Sequence, residues 1–289
     1  MPALVIGVNY RTDEHAVRFA HSLAQYFPED VSAILVDNSE RSDPDGFSRR
    51  IHETNPQIRC LQAPCNLGYF GGANYGLNQY LASSELPDWV IVCNVDIEFL
   101  DSRFFSTLRE LESTRSLGVV APRIWSARWK RDLNPKISER PTRRRMLFYR
   151  IVLGNYYLQT AYEFLSILKN ALRTWTRLLR ARFSGDQEHE KTSHIVTSIY
   201  APHGSCMIHN KRYFTAGGSL EYSVFLFGEE IFVAETVKKL GLTVGYCPQL
   251  WVLDNEHAST GIIRSRKTAT YLKEATRYLA ETFFTARTD

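Results

Sequence analysis

Short apolar runs alternate with helical patterns over the first 125 residues of the chain. A helical pattern covers Glu14–Tyr26, and another follows the third apolar run and ends near Leu81. Strands that alternate with helices indicate an α/β fold with a mainly parallel, doubly wound sheet, in which ligands collect at the carboxyl edge of the strands. The predicted strands are Ala3–Val8, Ser32–Val36, Ile58–Gln62, Trp89–Cys93 and Leu117–Ala121.

The pattern changes at Ser126. Basic and aromatic residues with helical periodicity extend to Phe183, and a second α/β stretch runs from Ile195 to about Trp251. A terminal helix is predicted over Arg264–Ala286. We therefore predict four segments: a first α/β half over 1–125, a basic helical insertion over 126–190, a second half over 191–262 and a C-terminal helix over 263–289.

Charge is distributed unevenly along the 289 residues, although 35 Lys and Arg against 31 Asp and Glu give a net charge of only +4. Residues 123–183 hold 15 basic and three acidic side chains, a net charge of +12, which leaves −8 for the remainder. A composition of 44% hydrophobic and 23% charged residues is that of a globular protein and excludes disordered, collagen-like and disulfide-scaffold classes. An acidic body with one basic block argues against a general polyanion binder.

The five cysteines are scattered and form no C-x-x-C pair, which argues against a zinc ribbon or a secreted disulfide framework. The N-terminal residues lack a basic stretch before a short apolar run, so we interpret them as a strand and not as a signal peptide. The most apolar window, Met146–Leu168, contains Arg150 and Glu163 and is a poor candidate for a membrane span. We expect a cytoplasmic protein, with peripheral contact to the inner face of the cell membrane left open.

A glycine-rich segment, Asn66–Gly76, lies between the third strand and the next helix. Its four glycines suit a turn that lets backbone approach a ligand closely, and the following helix N-terminus presents N–H groups to phosphate. The segment matches neither the dinucleotide G-x-G-x-x-G nor the P-loop pattern. A simple tight turn explains it equally well.

Acidic residues follow two of the predicted strands and begin one predicted helix. Asp96 ends the fourth strand, where it can hold Mg²⁺ or Mn²⁺ or simply begin a turn. Asp37 ends the second strand and can read a base N–H or cap the next turn. Glu229 and Glu230 begin a helix, either because the helix dipole favours them or because one is a general base. His257 follows in a polar loop, as a metal or diphosphate contact or as a solvated histidine.

The order of these motifs resembles that of bacterial family 2 glycosyltransferases of the GT-A fold. The resemblance covers about residues 3–125 and 195–262 and is greatest to the rhamnosyltransferase-like branch of O-antigen and capsule synthesis. The motifs that carry it, in chain order, are Asp37-Asn-Ser, Asn66-x-Gly-x-x-Gly-Gly-x-Asn-x-Gly76, Asn94-x-Asp96, Pro202-His-Gly-Ser205, Gly228-Glu-Glu230 and His257.

The resemblance implies a role for each motif. Glu230, with Glu229 beside it, would be the catalytic base, and Asp96 and His257 would bind Mg²⁺ or Mn²⁺. Two residues depart from the family pattern: Asn94 stands where the first acid of a D-x-D motif is common, and Phe232 replaces the final Asp of a Glu-Asp-x-Asp motif. The acceptor side would be lined by His203, Gly204 and Ser205. The nucleotide and donor would be bound by Asn9, Arg11, Asp37, Asn66, Gly68, Gly71, Gly72, Asn74, Asn94 and Val95.

The function implied is transfer of a sugar, with inversion, from a UDP- or dTDP-sugar to a hydroxyl of a glycan or polyprenyl-diphosphate-linked acceptor. Asp37 suits the N3–H of uracil or thymine. Two alternatives remain open. A sugar nucleotidyltransferase usually has a glycine-rich loop after its first strand, which Val8–Asp13 lacks. A non-catalytic nucleotide-sugar-binding scaffold would fit the changes at Asn94 and Phe232.

The basic block of residues 123–183 favours contact with a membrane surface. Apolar residues recur at heptad spacing beside Lys169, Arg173, Arg177 and Arg180. A helix with an apolar face and flanking cations is typical of an anionic membrane surface, here over 143–183. A helical hairpin packed on the core and a homo-oligomer interface remain alternatives, and no motif accompanies the charge to indicate nucleic acid. The heptad residues are Leu158, Leu165, Leu172 and Leu179.

Overall fold

The computed structural model describes residues 2–26, 28–111, 116–161, 196–255 and 266–285. The chain divides into two compact units. The first consists of Met1–Arg140 and Ile195–Ser259, and the second of Pro141–His194 and Thr260–Asp289.

A mixed sheet forms the centre of the first unit. Its strand order is β3-β2-β1-β4-β8-β6-β9-β5, with β7 paired to β9. Neighbours are parallel from β3 to β4 and between β6 and β9, whereas β8 is antiparallel to both β4 and β6. The expected α/β sheet is confirmed. The strands are β1 (Ala3–Asn9), β2 (Val31–Asp37), β3 (Ile58–Gln62), β4 (Trp89–Asn94), β5 (Ile97–Phe99), β6 (Leu117–Ser126), β7 (Thr197–Ile199), β8 (Cys206–Asn210) and β9 (Thr243–Asp254).

Helices flank this sheet and build the described part of the second unit. In the described ranges they are α1 (Asp13–Tyr26), α2 (Pro44–Thr54), α3 (Gly68–Leu81), α4 (Arg103–Glu110), α5 (Arg143–Gly154), α6 (Lys211–Thr215), α7 (Glu229–Lys239) and α8 (Arg266–Phe283). Helices α5 and α8 belong to the second unit and the others to the first.

The core follows from the apolar runs. Every residue of β1 is buried, as expected for a parallel strand that is covered on both faces. On α1 the apolar residues Ala16, Phe19, Ala20 and Leu23 recur at helical spacing and are all inaccessible to solvent. A Cβ on Gly7 would lie 2.6 Å from Phe19 Cε1, so β1 needs a glycine there for α1 to pack closely.

The glycine-rich segment is a helix and not the expected turn, because α3 already begins at Gly68. A Cβ on Gly76 would lie 2.8 Å from Val36 Cγ2, and one on Gly72 would lie 3.0 Å from Val8 Cγ1. These glycines therefore let α3 approach β1 and β2, which offsets a helix-propensity cost of about 1 kcal/mol per glycine.

Two segments that border residues 141–194 are joined to each other inside the first unit. The Ile137 N–H donates to the Ala201 carbonyl at 3.3 Å, and the Ala201 N–H donates back at 3.0 Å. Arg140 then forms a bidentate ion pair with Glu235 on α7, at 2.7 and 3.0 Å. The Tyr200 hydroxyl donates to the same carboxylate at 2.6 Å, so one buried group anchors both segments.

In the second unit α5 packs against α8, and Arg150 Nη1 lies 3.5 Å from Glu281 Oε1. Helix α5 buries Met146 but exposes Phe148 and Ile151. Most of the predicted heptad stripe, with the cations beside it, lies outside the described residues. In the ranges that are described, no helix combines the length and apolar character that a membrane crossing needs.

Candidate active site

Asn9 and Asp37 are register partners at the carboxyl ends of β1 and β2. Asp37 is almost fully buried, and its Oδ1 accepts hydrogen bonds from Asn9 Nδ2 at 3.0 Å and from the Ser39 hydroxyl at 2.6 Å. Its Oδ2 accepts from Arg41 Nε. Protein groups thus already bind both oxygens, so base recognition by Asp37, which stays a prediction, is confined to the remaining lone pair of Oδ2.

Arg41 is a central residue of this edge that the sequence analysis missed. Its Nη1 and Nη2 donate to the two carboxylate oxygens of Asp13 at 2.8 and 2.6 Å, and its guanidinium carbon lies 3.7 Å from the centre of the Phe47 ring. The hydrogen bond to Asp13 is the main cause that raises the pKa of Arg41, and it lowers the pKa of Asp13 in turn. The only sequence signal is the four-residue spacing between Asp37 and Arg41.

A cavity of about 530 Å³ opens beside this network. Its size is that of a small-molecule site. Arg11, one of the lining residues, has a φ of 56°, in the left-handed region, and its N–H donates to the Ser39 hydroxyl at 2.7 Å. The backbone of Arg11 is therefore held in a conformation that most residues avoid. The lining is polar and consists of Arg11, Thr12, Asp13, Glu14, His15, Ser39, Glu40 and Arg41.

The predicted donor-binding segment begins at Asn66, whose side-chain oxygen accepts the Gly68 N–H at 3.1 Å. Gly68 has a φ of +74°, and a Cβ there would lie 1.9 Å from the Phe225 carbonyl oxygen. Only glycine fits this contact, which brings the first turn of α3 against the segment that leads to α7. Donor contacts by Gly71, Gly72 and Asn74, which follow on α3, stay predictions.

The predicted metal side is a turn between β4 and β5. Asn94 ends β4, and Val95 and Asp96 form the turn. The Asn255 N–H donates to the Asp96 carbonyl oxygen at 3.0 Å, and the Asn94 N–H donates to the Ser205 carbonyl oxygen at 3.0 Å. The turn is thereby fixed to the end of β9 and to the start of β8.

The donor set at this turn fits a metal that is shared with a substrate. Asp96 supplies one half-buried carboxylate, while Glu98 Oε1 already accepts from Asn255 Nδ2 at 2.8 Å. Within the described ranges, no three His, Cys, Asp or Glu side chains are grouped so that they could hold a metal, and His257 lies outside those ranges. Mg²⁺ is commonly held by one or two carboxylates together with substrate phosphates, and that arrangement suits a lone Asp96.

Glu229 and Glu230, at the start of α7, have different surroundings. Glu229 is buried, and its Oε1 accepts the Phe227 N–H at 3.1 Å. Burial, and after it the charge of Glu230, raise the pKa of Glu229 to about 8. Glu230 is half-buried, and its Oε1 lies 3.1 Å from the position of a Cβ on Gly204. Glu230 is thus the carboxylate that meets the predicted acceptor side.

The acceptor-side residues form a compact turn around a neutral histidine. His203 Nδ1 accepts the Ser205 N–H at 3.3 Å and lies 2.9 Å from the Ser205 hydroxyl oxygen. Burial first, and then the charge of Lys136, lower the pKa of His203 to about 3. The backbone N–H of His203 donates to Asn134 Oδ1 at 2.7 Å, which fixes the turn to the segment that follows β6. The structure thus brings Gly204 and Glu230 together.

Tyr69 is a second residue that the sequence analysis missed. Its hydroxyl oxygen is buried and forms no hydrogen bond to any described residue. Burial raises the pKa of Tyr69 well above its ordinary value, and the neighbouring Cys93, Cys206, Glu229 and Asp96 act in the same direction. Tyr69 therefore lies near both predicted carboxylate sites. Its place directly after Gly68 in the glycine-rich segment is the one sequence signal.

Phe232 stands where the family pattern has an acid, and it belongs to an aromatic cluster. Its ring centre lies 4.9 Å from that of Tyr222 and 6.4 Å from that of Phe70. The side chain is buried. The position therefore serves packing between α3 and α7 in this chain.

Comparison with known proteins identifies the family of the chain. The model of glycosyl transferase family 2 matches residues 7–169. An N-acetylglucosaminyl-diphospho-decaprenol L-rhamnosyltransferase of Mycobacterium tuberculosis is 25% identical over 96% of this chain and 83% of the relative. The low-salt glycan biosynthesis hexosyltransferase Agl10 of Haloferax volcanii is 24% identical over 87% of this chain and 66% of its own.

Solved structures share the fold at low sequence identity. GalNAc-T7 with UDP, GalNAc and Mn²⁺ superposes with a TM-score of 0.57 at 13% identity, over 89% of this chain and 44% of its own. TarS of S. aureus superposes with a TM-score of 0.56 at 11% identity, and the match covers 100% of this chain and 41% of the TarS chain. The chain thus spans less than half the length of either structure. It has the GT-A fold and belongs to glycosyl transferase family 2, where it is similar to rhamnosyltransferases.

Proposed function

We propose that this glycosyltransferase is an inverting, metal-dependent enzyme that uses a UDP- or dTDP-sugar. The observation that carries the proposal is the contact between the Glu230 carboxylate and Gly204, at the carboxyl side of the sheet. In this arrangement residues 1–125 bind the nucleotide and residues 191–262 bind the acceptor. The polar cavity at Arg11, Asp13 and Arg41 has room for part of the donor.

The reaction is a single displacement. The acceptor oxygen attacks the anomeric carbon from the face opposite the diphosphate, the bond from that carbon to the diphosphate oxygen breaks, and Glu230 takes the acceptor proton. Asp96, with His257 as a further contact, would hold a divalent cation, which would supply positive charge for the leaving group. One displacement inverts the anomeric configuration, and no covalent nucleophile is required.

Glu230 suits the role of base better than Glu229. A base must be reachable by the acceptor and must be ionised when the acceptor binds. Glu229 is buried against the Phe227 N–H and has a pKa of about 8, so it is largely protonated at neutral pH. Glu230 is partly accessible and faces the turn of His203, Gly204 and Ser205.

A lipid-linked acceptor in bacterial surface polysaccharide synthesis, such as O-antigen or capsule, is the acceptor class we propose. The mycobacterial relative is by its name a transferase to a diphospho-decaprenol-linked sugar. Helix α5 adds an independent argument: Arg143, Arg144 and Arg145 begin it, and Phe148 and Ile151 are exposed along it. Cations beside exposed apolar side chains suit an anionic membrane surface, where such an acceptor would reside.

The proposal is tested with a panel of nucleotide sugars, each with Mg²⁺, with Mn²⁺ and with chelator. Thermal shift reports donor binding, and released nucleoside diphosphate reports turnover. We expect both signals for one UDP- or dTDP-sugar, and turnover only with metal. Pyrophosphate release from a nucleoside triphosphate would instead identify a nucleotidyltransferase. Binding without turnover on any acceptor would identify a non-catalytic scaffold.

A further inference from the structure

Tyr69 carries a buried polar group that the proposed mechanism leaves unused. It is the second residue of α3, directly after Gly68, whose close contact with the Phe225 carbonyl oxygen brings the first turn of α3 against the segment leading to α7. The adjacent Phe70 packs edge-on against Phe232, with ring centres 6.4 Å apart. The residues on either side of Tyr69 are therefore held by close packing.

The hydroxyl oxygen of Tyr69 is buried and has no hydrogen-bond partner among the described residues. Leaving a buried hydroxyl without a partner is unfavourable, and a ligand that supplies an acceptor recovers that free energy on binding. The pKa of Tyr69 is raised well above its ordinary value, first by burial and then by neighbouring groups that include Glu229 and Asp96. Tyr69 thus stays protonated and is a hydrogen-bond donor, not a base.

We infer that the Tyr69 hydroxyl donates a hydrogen bond to a hydroxyl group of the transferred sugar. The inference rests on the proposed function and names a residue that selects the sugar. Asp96 and Glu229 are among the groups that raise the pKa of Tyr69, so a ligand group at this place meets carboxyl groups as well as the hydroxyl. A sugar hydroxyl is neutral, accepts from Tyr69 and can donate its own proton to a carboxylate. A site built to hydrogen-bond a substrate hydroxyl rejects the analogue that lacks it.

The test compares Tyr69→Phe with Tyr213→Phe. Each change removes one buried hydroxyl, but that of Tyr213 already donates to the Ser219 carbonyl oxygen at 2.9 Å. Steady-state kinetics are measured with the natural donor and its monodeoxy analogues, together with binding of the free nucleoside diphosphate. For Tyr69→Phe we expect kcat/KM to fall about 10- to 100-fold with nucleoside diphosphate binding unchanged.

The deoxy analogues identify the contact. For wild type and Tyr213→Phe, kcat/KM should be about 10- to 100-fold lower with one analogue than with the natural donor. For Tyr69→Phe, kcat/KM with that same analogue should fall less than about threefold. Equal losses in wild type and Tyr69→Phe with every analogue would overturn the inference. A parallel loss of nucleoside diphosphate binding by Tyr69→Phe would also overturn the inference, because it would mean that the Tyr69 hydroxyl contacts the diphosphate and not the sugar.

Thermal unfolding separates this inference from the proposed function. Because the Tyr69 hydroxyl has no described partner, Tyr69→Phe should unfold at the wild-type temperature or above it, whereas Tyr213→Phe should unfold several degrees lower. A lower midpoint for Tyr69→Phe would contradict the inference without any assay of activity. A wild-type protein that turns over no nucleotide sugar would contradict the proposed function instead.

Discussion

Gly204 faces the carboxylate of Glu230 so closely that a Cβ on the glycine would lie 3.1 Å from Oε1 and 3.5 Å from Cδ. The two residues come from different elements, the turn before β8 and the first turn of α7. The backbone conformation of residue 204 does not require a glycine, and an added Cβ would press mainly on the carboxylate of Glu230. The contact therefore makes residue 204 a sensitive probe of where Glu230 must be.

Gly204→Ala should displace the Glu230 carboxylate by a few tenths of an ångström and lower kcat, because proton removal depends on position. Since a displacement of 1 Å can cost about 100-fold, we expect a loss of about 10-fold with little change in unfolding temperature. Steady-state kinetics and thermal unfolding measure the two effects. Gly154→Ala is the matched control, because a Cβ on Gly154 meets nothing within 4 Å. Equal activity of both variants would contradict the proposed position of the base.

Glu230→Gln should abolish transfer while leaving donor binding nearly intact. Removal of a general base typically costs about 10²- to 10⁴-fold in rate, and the amide keeps the shape of the side chain. Released nucleoside diphosphate in the presence of acceptor gives the rate, and titration calorimetry gives the donor affinity. Glu221→Gln, at an exposed position, is the control. Loss of donor affinity with Glu230→Gln would remove Glu230 from the role of base.

Glu229→Gln should stabilise the protein at alkaline pH. The pKa of Glu229 is raised from 4.5 to about 8 in the folded state, so the folded protein binds a proton there that the unfolded chain has already released. Stability due to this group is present below pH 4.5 and is lost as the pH rises toward 8. Urea unfolding across this range should show a flatter pH dependence for Glu229→Gln. An unchanged slope would contradict the burial of this carboxyl.

Arg41→Ala should cost far more stability than Arg50→Ala. Arg41 pairs with the buried Asp37 and bidentately with Asp13, and its loss leaves Asp37 without its cation. We expect Arg41→Ala to lose about 2 to 4 kcal/mol in the free energy of unfolding and Arg50→Ala to lose much less, because the pair of Arg50 and Glu14 is exposed. Chemical denaturation of both variants provides the comparison. Similar losses would mean that the Asp37 network contributes little.

Charge reversal on α5 tests the membrane contact. Each Lys or Arg near an anionic surface contributes about 1 kcal/mol, so changing Arg143, Arg144 and Arg145 to Glu should weaken binding to vesicles with anionic lipid at least about 100-fold. The same reversal at the exposed Arg18, Arg49 and Arg59 keeps the net charge matched and should have a much smaller effect. Cosedimentation at fixed salt measures both. A triple α5 variant that still sediments with these vesicles would remove the membrane proposal.

The strands could be predicted because each is a short apolar run, as with β1, where burial is continuous. The insertion of β8 between β4 and β6 could not, because strand order depends on pairing between residues such as Cys93 and Cys206 that are far apart in sequence. The helical conformation of the glycine-rich segment could not be predicted for a different reason. A glycine that admits a ligand and a glycine that admits a neighbouring strand look identical in sequence.

Part of the candidate site could be predicted from the sequence in the same way. Asp96, Glu230 and His203 could be singled out because each lies in a short motif of chemically suitable residues. The pair of Arg41 and Asp13 could not, since 28 residues separate them and their contact depends on how two loops meet. Tyr69 was missed because an aromatic residue beside glycine usually indicates packing. Its unbonded hydroxyl can be recognised only from the burial of a single atom.

The hydrogen bonds between Ile137 and Ala201 have a consequence for how this family can diversify. Residues 141–194 leave and re-enter the first unit at points that are already tied together, and closing a longer loop between fixed ends adds little entropic cost. The segment can therefore be lengthened, shortened or exchanged while Arg140 and Tyr200 keep their hydrogen bonds to Glu235, on the helix that bears Glu230. The length of this segment can thus change without a change in the helix that carries Glu230.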